Sequence, residues 1–166
     1  FRNYQVGVNV GGPIKKDKAF FFLAYERNDG RSSKPNSIDA TLRNLFATRF
    51  NSPNEQTVIE RTNDADVFLG KVDFQINNNN LLTLRHNFSR AEQVNGTFDV
   101  STWGSSANGR ETSKSNSFIG QLVTNFSSTL LNEFRFQYAK EERPRFYDGP
   151  DLPDVTIGTF AGDISY

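Results

Sequence analysis

The chain has 166 residues with 19 basic and 19 acidic side chains, so its formal net charge is zero. This balance gives no electrostatic ground for nucleic-acid binding. The absence of cysteine excludes a disulfide framework and thiolate chemistry. No apolar run approaches the roughly 18 residues that would predict a transmembrane helix. The missing methionine and signal peptide predict an internal piece of a longer protein.

The first predicted elements form a hairpin at about residues 4–27, and a second hairpin pattern then occurs twice. Residues 68–90 reappear 50 positions later as residues 118–140, with Phe68 aligned to Phe118 and Arg85 aligned to Arg135. Each copy has two long stretches joined by about four polar residues, which is typical of a β-hairpin. A repeat of this length indicates a propeller, a solenoid or an array of hairpins.

The spacing of the connections decides between these architectures. Strands are predicted at about residues 4–11, 18–27, 65–76, 81–93, 115–126 and 131–143. Tight turns are predicted at residues 13–17, 77–80 and 127–130, and long loops at 28–64, 94–112 and 144–166. In an up-and-down antiparallel meander, all short turns then share one edge and all long loops the other. That asymmetry is typical of outer-membrane barrels, so we predict one partial barrel domain over residues 1–166, with hairpins at about 4–27, 65–93 and 115–143.

Alternating side chains predict two different faces for this sheet. A membrane interpretation places an apolar set toward lipid: Phe68, Phe74, Leu82, Leu84, Phe88, Phe118, Leu122, Phe134 and Phe136. It places a charged set toward the lumen: Lys71, Asp73, Arg85, Glu133 and Arg135. The same alternation equally suits the wet face of a soluble antiparallel sheet. In the second strand both faces are apolar, so its phase is ambiguous, but strands of about 10–13 residues favour a membrane-spanning length.

One segment has helical periodicity. Ile38, Leu42, Leu45, Phe46 and Phe50 recur at helical spacing, which predicts a short helix over residues 37–50 inside the first long loop. Ser37 is the predicted N-cap, and Asp39 suits the first turn.

Candidate binding residues are confined to the long loops. Trp103 lies among Ser, Gly and Asn, where an exposed indole can stack on a ligand, pack into its own loop or sit in an interfacial girdle. Asp148, Asp151 and Asp154 are three residues apart in the last loop. Oxygen-rich loops can bind calcium, but no EF-hand spacing is present, so the pattern favours a solvated loop over a calcium site. His86 has no predicted catalytic partner. No enzyme activity, metal or cofactor is expected.

Two stretches resemble a known family. Residues 6–27 resemble a Gly-Gly-Pro-Ile…Lys-Asp-Lys…Phe-Phe-Phe…Tyr-Glu segment of TonB-dependent outer-membrane receptors of the Oar-like type, and the two later hairpins resemble those that follow it. The matching positions are Gly11, Gly12, Pro13, Ile14, Lys16, Asp17, Lys18, Phe20, Phe21, Phe22, Tyr25, Glu26, Gly70, Val72, Asp73, Asn87, Phe88, Asn132, Glu133 and Arg135. The resemblance covers most of residues 4–143.

The resemblance implies a place in the cell outer membrane and a barrel of about 22 strands with a plug domain. It implies a receptor that binds and imports a substrate with energy from the TonB complex. The expected partners are outer-membrane lipid, the remainder of the barrel and plug, and the TonB complex through a region absent from this chain. The alternative is a soluble β-sandwich module that binds carbohydrate or another ligand. The substrate is not readable from the sequence because specificity lies in variable loops.

Overall fold

A computed structural model describes residues 1–51, 55–96, 107–147, 151, 155–159 and 162–165. The strands that follow one another along the chain alternate direction, joined by tight turns at one end and longer segments at the other. The elements are β1 (Arg2–Lys15), β2 (Ala19–Pro35), α1 (Ala40–Arg49), β3 (Val58–Asn77), β4 (Asn80–Val94), β5 (Gly109–Ser127), β6 (Leu130–Glu142), β7 (Arg145–Tyr147), β8 (Thr156–Thr159) and β9 (Gly162–Ser165).

The main sheet is an antiparallel meander in the order β1-β2-β3-β4-β5-β6, and β7 continues the edge by pairing with β5. Strands β8 and β9 form a separate two-stranded sheet. The predicted all-β meander of six long strands with one short helix is therefore confirmed. The hairpin turns are as tight as predicted, and Asp17 adopts a positive φ of 56° in the first of them.

The strands reach further toward the long connections than the sequence predicts. Strand β2 extends to Pro35 instead of Arg27, β3 begins at Val58 instead of Ala65, and β5 begins at Gly109 instead of Ser115. The predicted loops 28–64 and 94–112 therefore shrink to segments 36–57 and 95–108. Three short strands lie within 144–166, where only loop was predicted. Apart from Val58 and Ile59 these extensions are polar on both faces, so hydrophobic alternation gives little signal for them.

Helix α1 lies in the first of these segments, as predicted, but its N-cap is Asp39 instead of Ser37. The Asp39 carboxylate accepts a hydrogen bond of 2.7 Å from the Thr41 backbone N–H. Ile38 and Phe46 are buried, and Leu42 and Ile157 pack against them. The helix thus forms a small apolar cluster with strand β8, and two of the long connections meet there.

The main sheet is a single layer in the part of the chain that the structure describes. The buried hydrophobic residues there are Ala19, Ile38, Phe46 and Ile59, and only Ala19 lies in the part of the sheet next to the tight turns. Many large apolar side chains of the sheet remain more than one-third exposed. Among the described residues, no helix is long and apolar enough to cross a membrane.

Candidate functional site: the two faces of the sheet

Cross-strand register assigns every side chain of the sheet to one of two faces, because directly paired residues point the same way. Phe74 pairs with Leu82, which pairs with Leu122, which pairs with Phe134. The side chains in such rows form an apolar face: Tyr4, Val6, Val8, Val10, Phe21, Leu23, Tyr25, Phe68, Val72, Phe74, Leu82, Leu84, His86, Phe88, Phe118, Leu122, Phe134, Phe136 and Tyr138. All nine residues predicted to face lipid lie on this face.

The opposite face is polar, and it holds all five residues that were predicted to face a lumen. Lys71 pairs with Arg85, and Gln121 pairs with Arg135. Short interactions organise these charges: Lys71 Nζ lies 2.9 Å from Asp73 Oδ2, and Arg135 Nη2 lies 2.7 Å from Glu133 Oε1. Four of these five charged groups are thus neutralised pairwise on a half-exposed surface, and Arg85 adds a cation opposite Lys71.

The same register resolves the phase of β2, which the sequence left ambiguous. Phe21 and Leu23 pair with Val72 and Gly70 and belong to the apolar face. A Cβ built at Gly70 would lie 3.6 Å from Leu23 Cδ2, so the leucine covers the glycine. Phe20 and Phe22 therefore lie on the polar face, where they form an apolar patch next to β1.

The edge of the apolar face moves toward the tight turns from β1 to β6, in two steps that average about one residue per strand. One row pairs Val8, Tyr25, Phe68 and Phe88 with Asn116 and then Lys140, so it changes from apolar to polar between β4 and β5. On β1 the apolar residues continue two rows further, to Tyr4, where β2 and β3 already carry charges. The boundary therefore moves about one residue per strand toward the tight turns.

The internal repeat shows the same displacement independently. Arg85 pairs with Ile119, whereas its counterpart Arg135 pairs with Gln121, two residues nearer the turn. A shift of one residue per strand, with a rise of about 3.3 Å and a strand spacing of about 4.8 Å, corresponds to a tilt of about 35°. Strands of membrane barrels tilt by about 35–45°. The apolar face is thus a level belt across tilted strands, parallel to the line of the three turns.

Beyond the belt, on the side of the long connections, charged side chains join the strands. Asp66 accepts hydrogen bonds of 2.7 Å from both the Tyr25 hydroxyl and Arg27. Arg31 bonds to Asp64 and lies 3.4 Å from Asp29. An open depression of about 210 Å³ lies here, lined by Arg27, Asp64, Asp66, Arg90, Ala91 and Glu92.

A second ion cluster holds the far end of β5 against the edge strand. Glu111, only 8% exposed, accepts hydrogen bonds from Arg143 at 2.9 Å and from Arg145 at 2.7 Å. These two arginines flank Pro144, where β6 ends and β7 begins. Proline cannot donate to the ladder, so Glu111 bridges the interruption. The Arg145 hydrogen bond, followed by that of Arg143, holds the pKa of Glu111 below its usual range.

The predicted ligand-binding residues are not brought together in the described structure. Trp103, Asp148 and Asp154 lie outside the described residues, and Asp151 is exposed. No group of three or more metal-binding side chains occurs in the described ranges. His86 lies on the apolar face between Gly70 and Phe118.

Sequence reasoning missed both ion clusters beyond the belt. Arg27 and Asp66 are 39 positions apart, and Glu111 and Arg145 are 34 apart. Arg27 and Asp66 lie in predicted strands, but a long connection joins these two strands, so no tight turn fixes their register in the sequence. Glu111 and Arg145 lie in segments that were predicted as loops.

Comparison with protein families agrees with this geometry. A family model described as outer membrane beta barrel domain matches residues 1–42 and 34–162. The chain belongs to the outer-membrane β-barrel family. No curated protein and no solved structure gave a match.

The chain is therefore a segment of barrel wall located in the outer membrane. The alternative of a soluble β-sandwich is wrong for this family, and it also lacks structural support. A sandwich needs a second sheet packed about 10 Å away over the apolar face. In the part of the chain that the structure describes, the second sheet consists only of the four-residue strands β8 and β9.

Substitutions at adjacent residues of β4 test the assignment of the faces. Leu84 lies in the middle of the belt on the apolar face, and Thr83 lies at the same depth on the polar face, where its hydroxyl donates to Asp73 at 2.7 Å. Leu84→Arg should cost about 2–4 kcal/mol, as for a midplane arginine toward lipid. Thr83→Arg should cost far less because the new cation faces Asp73. The folded yield of the complete barrel, measured by heat-dependent gel mobility, is compared for the two variants. Equal losses of folded protein would contradict the assignment of the two faces.

The Glu111 bridge predicts a local effect confined to the sheet extension. Glu111→Gln should weaken both arginine contacts, so the Thr112 N–H, which donates to Pro144 O at 3.1 Å, should exchange with deuterium faster. Because the pKa of Glu111 is lowered by folding, its contribution is present above the ordinary glutamate pKa and is lost as pH falls through the lowered value. Wild-type exchange at Thr112, corrected for intrinsic rates, should approach that of the variant in acid. Glu141→Gln is the matched control: the Glu141 carboxylate makes only a long contact of 3.9 Å with Arg143 Nε, so its loss should change exchange at Thr112 little.

Proposed function

We propose that this wall belongs to a TonB-dependent outer-membrane receptor that binds a substrate and imports it. The observation that carries the proposal is the segment Gly11–Glu26, whose motif resembles the Oar-like receptors and which forms the first hairpin of the sheet. Family membership supports the barrel, and the motif supports this particular class of barrel. The chain acts as a wall and not as an enzyme in this proposal.

The chemistry of the polar face supports a filled lumen. Phe20 and Phe22 lie on that face beside charged pairs such as Lys71–Asp73. A water-filled pore gives no favourable partner to two phenylalanine rings, whereas a folded plug does. Phe22 is 39% exposed and Phe20 is 43% exposed, so both have surface left to bury against a plug. The partners we propose are therefore outer-membrane lipid outside, the plug inside, further strands at both sheet edges, and the TonB complex.

Binding to TonB tests the proposed class directly. The complete receptor, purified in detergent, should bind the periplasmic domain of the TonB protein from the same cell, and a variant without its TonB-contacting segment should not. In planar bilayers the complete protein should carry no steady current because the plug fills the lumen. A folded barrel that ignores TonB and conducts as an open pore would contradict the proposal and identify a porin.

The proposed topology places the long connections outside the cell and the tight turns in the periplasm. Asn44, exposed on helix α1, and Asn78, exposed in a tight turn, provide a matched pair of positions. The chain contains no cysteine, so Asn44→Cys and Asn78→Cys each introduce one thiol into it. A membrane-impermeant thiol reagent applied to intact cells should label position 44 and spare position 78. The reverse pattern would invert the topology.

A further inference from the structure

The apolar belt ends against a row of charges in which two described cations make no direct ion pair. The row pairs Arg27, Asp66, Arg90, Lys114 and Glu142 across five strands. Arg27 bonds to Asp66 at 2.7 Å, and Glu142 bonds at 2.6 Å to Lys140. Arg90 and Lys114, the rim pair, lie directly opposite each other on β4 and β5.

The rim pair makes no hydrogen bond or ion pair with any other residue that the structure describes. Both side chains are exposed. The carboxylates nearby on this face are those of Asp66, Glu142 and Glu92. Asp66 attracts Arg90 and Glu142 attracts Lys114 at longer range, but the direct ion pairs of these carboxylates are with Arg27 and Lys140. Glu92 lies one row further from the belt, paired across the strands with Asp64. Like charges directly opposite in an antiparallel pair are destabilising, so an anion that contacts both Arg90 and Lys114 would stabilise the arrangement.

We propose that Arg90 and Lys114 bind the phosphate of an anionic lipid headgroup in the leaflet next to the long connections. This rests on the proposed lipid-facing orientation of the apolar face. Cross-strand side chains begin about 5 Å apart, so a guanidinium and an ammonium can contact one phosphate together. Phe88 is two residues before Arg90 on the same face, and Phe118 is four residues after Lys114. Acyl chains of the same lipid therefore have an apolar surface immediately below the headgroup.

The rim pair lies directly beside the apolar belt, and this position favours a lipid over a soluble anion. The rim pair is open to solvent, and two exposed cations hold a small free anion only weakly in water. A lipid adds the apolar contact of its chains and a high local concentration at the surface.

Lipid retention by the complete protein tests the site. The barrel is reconstituted in nanodiscs of zwitterionic phospholipid doped with an anionic phosphoglycolipid, extracted gently, and the retained anionic lipid is measured by mass spectrometry. Arg90→Gln and Lys114→Gln should each lower retention about fivefold, from the usual contribution of one basic residue at an anionic surface. The double variant should lose more than either single one. Excess inorganic phosphate should not displace the lipid.

The matched control is the double variant Lys71→Gln and Arg85→Gln, which removes a cross-strand lysine–arginine pair from the polar face. It should retain lipid as the wild type does. Undiminished retention in a folded rim-pair variant, equal loss in the control, or displacement by phosphate would each overturn the proposal. A nitroxide spin label attached at Phe118→Cys tests the lipid-facing orientation separately from lipid binding by the rim pair. If the label collides more often with dissolved oxygen than with a water-soluble nickel chelate, the apolar face meets lipid, whatever the rim pair binds.

Discussion

The register of the antiparallel ladder is the constraint on which every other feature depends. A slip of one residue in any strand would exchange its apolar and polar faces. The turns fix the register locally: in the second turn the Asn77 carboxamide accepts from the Asn79 N–H at 3.0 Å, and the Asn80 amide donates to it at 2.8 Å. Hydrogen bonds between neighbouring hairpins, such as Gln75 N–H to Lys18 O at 2.7 Å, then transmit that register along the sheet edge.

A single-layer sheet with half-exposed apolar side chains has no core of its own, and this is consistent with its surroundings. In a bilayer, backbone groups find no competing partner, so each ladder hydrogen bond is retained without a packed second layer. In the orientation proposed above, the apolar belt meets hydrocarbon instead of a facing sheet. Water would penalise that exposed belt, and the open edges of β1 and β6 would invite association. The apolar side chains that would destabilise an isolated sheet in water thus stabilise a barrel wall in lipid.

The sequence was sufficient where one physical signal dominated. Period-two alternation predicted the two faces of β3 to β6, and the tight turns predicted the meander. It was insufficient at β2, where Phe20 to Leu23 are apolar on both sides and only pairing with Val72 and Gly70 sets the phase. It also failed for the polar extensions, since Arg31 and Asp64 signal a strand only once they lie side by side. The loop candidates Trp103, Asp148 and Asp154 fall outside the described residues.

The sheet is stabilised in two different ways along its length. Inside the belt, exclusion of water protects the ladder and the side chains need only be apolar. Beyond it, water competes for every backbone group, and cross-strand ion pairs such as Arg27–Asp66 and Arg145–Glu111 supplement the ladder. Exposed pairs contribute little individually, so this part of the sheet is held more weakly than the belt. Gly109 shows how close the strands come there, because a Cβ would overlap the Phe146 carbonyl. Because these contacts are local to the extension, loss of one ion pair there should leave the register of the belt beneath it unchanged.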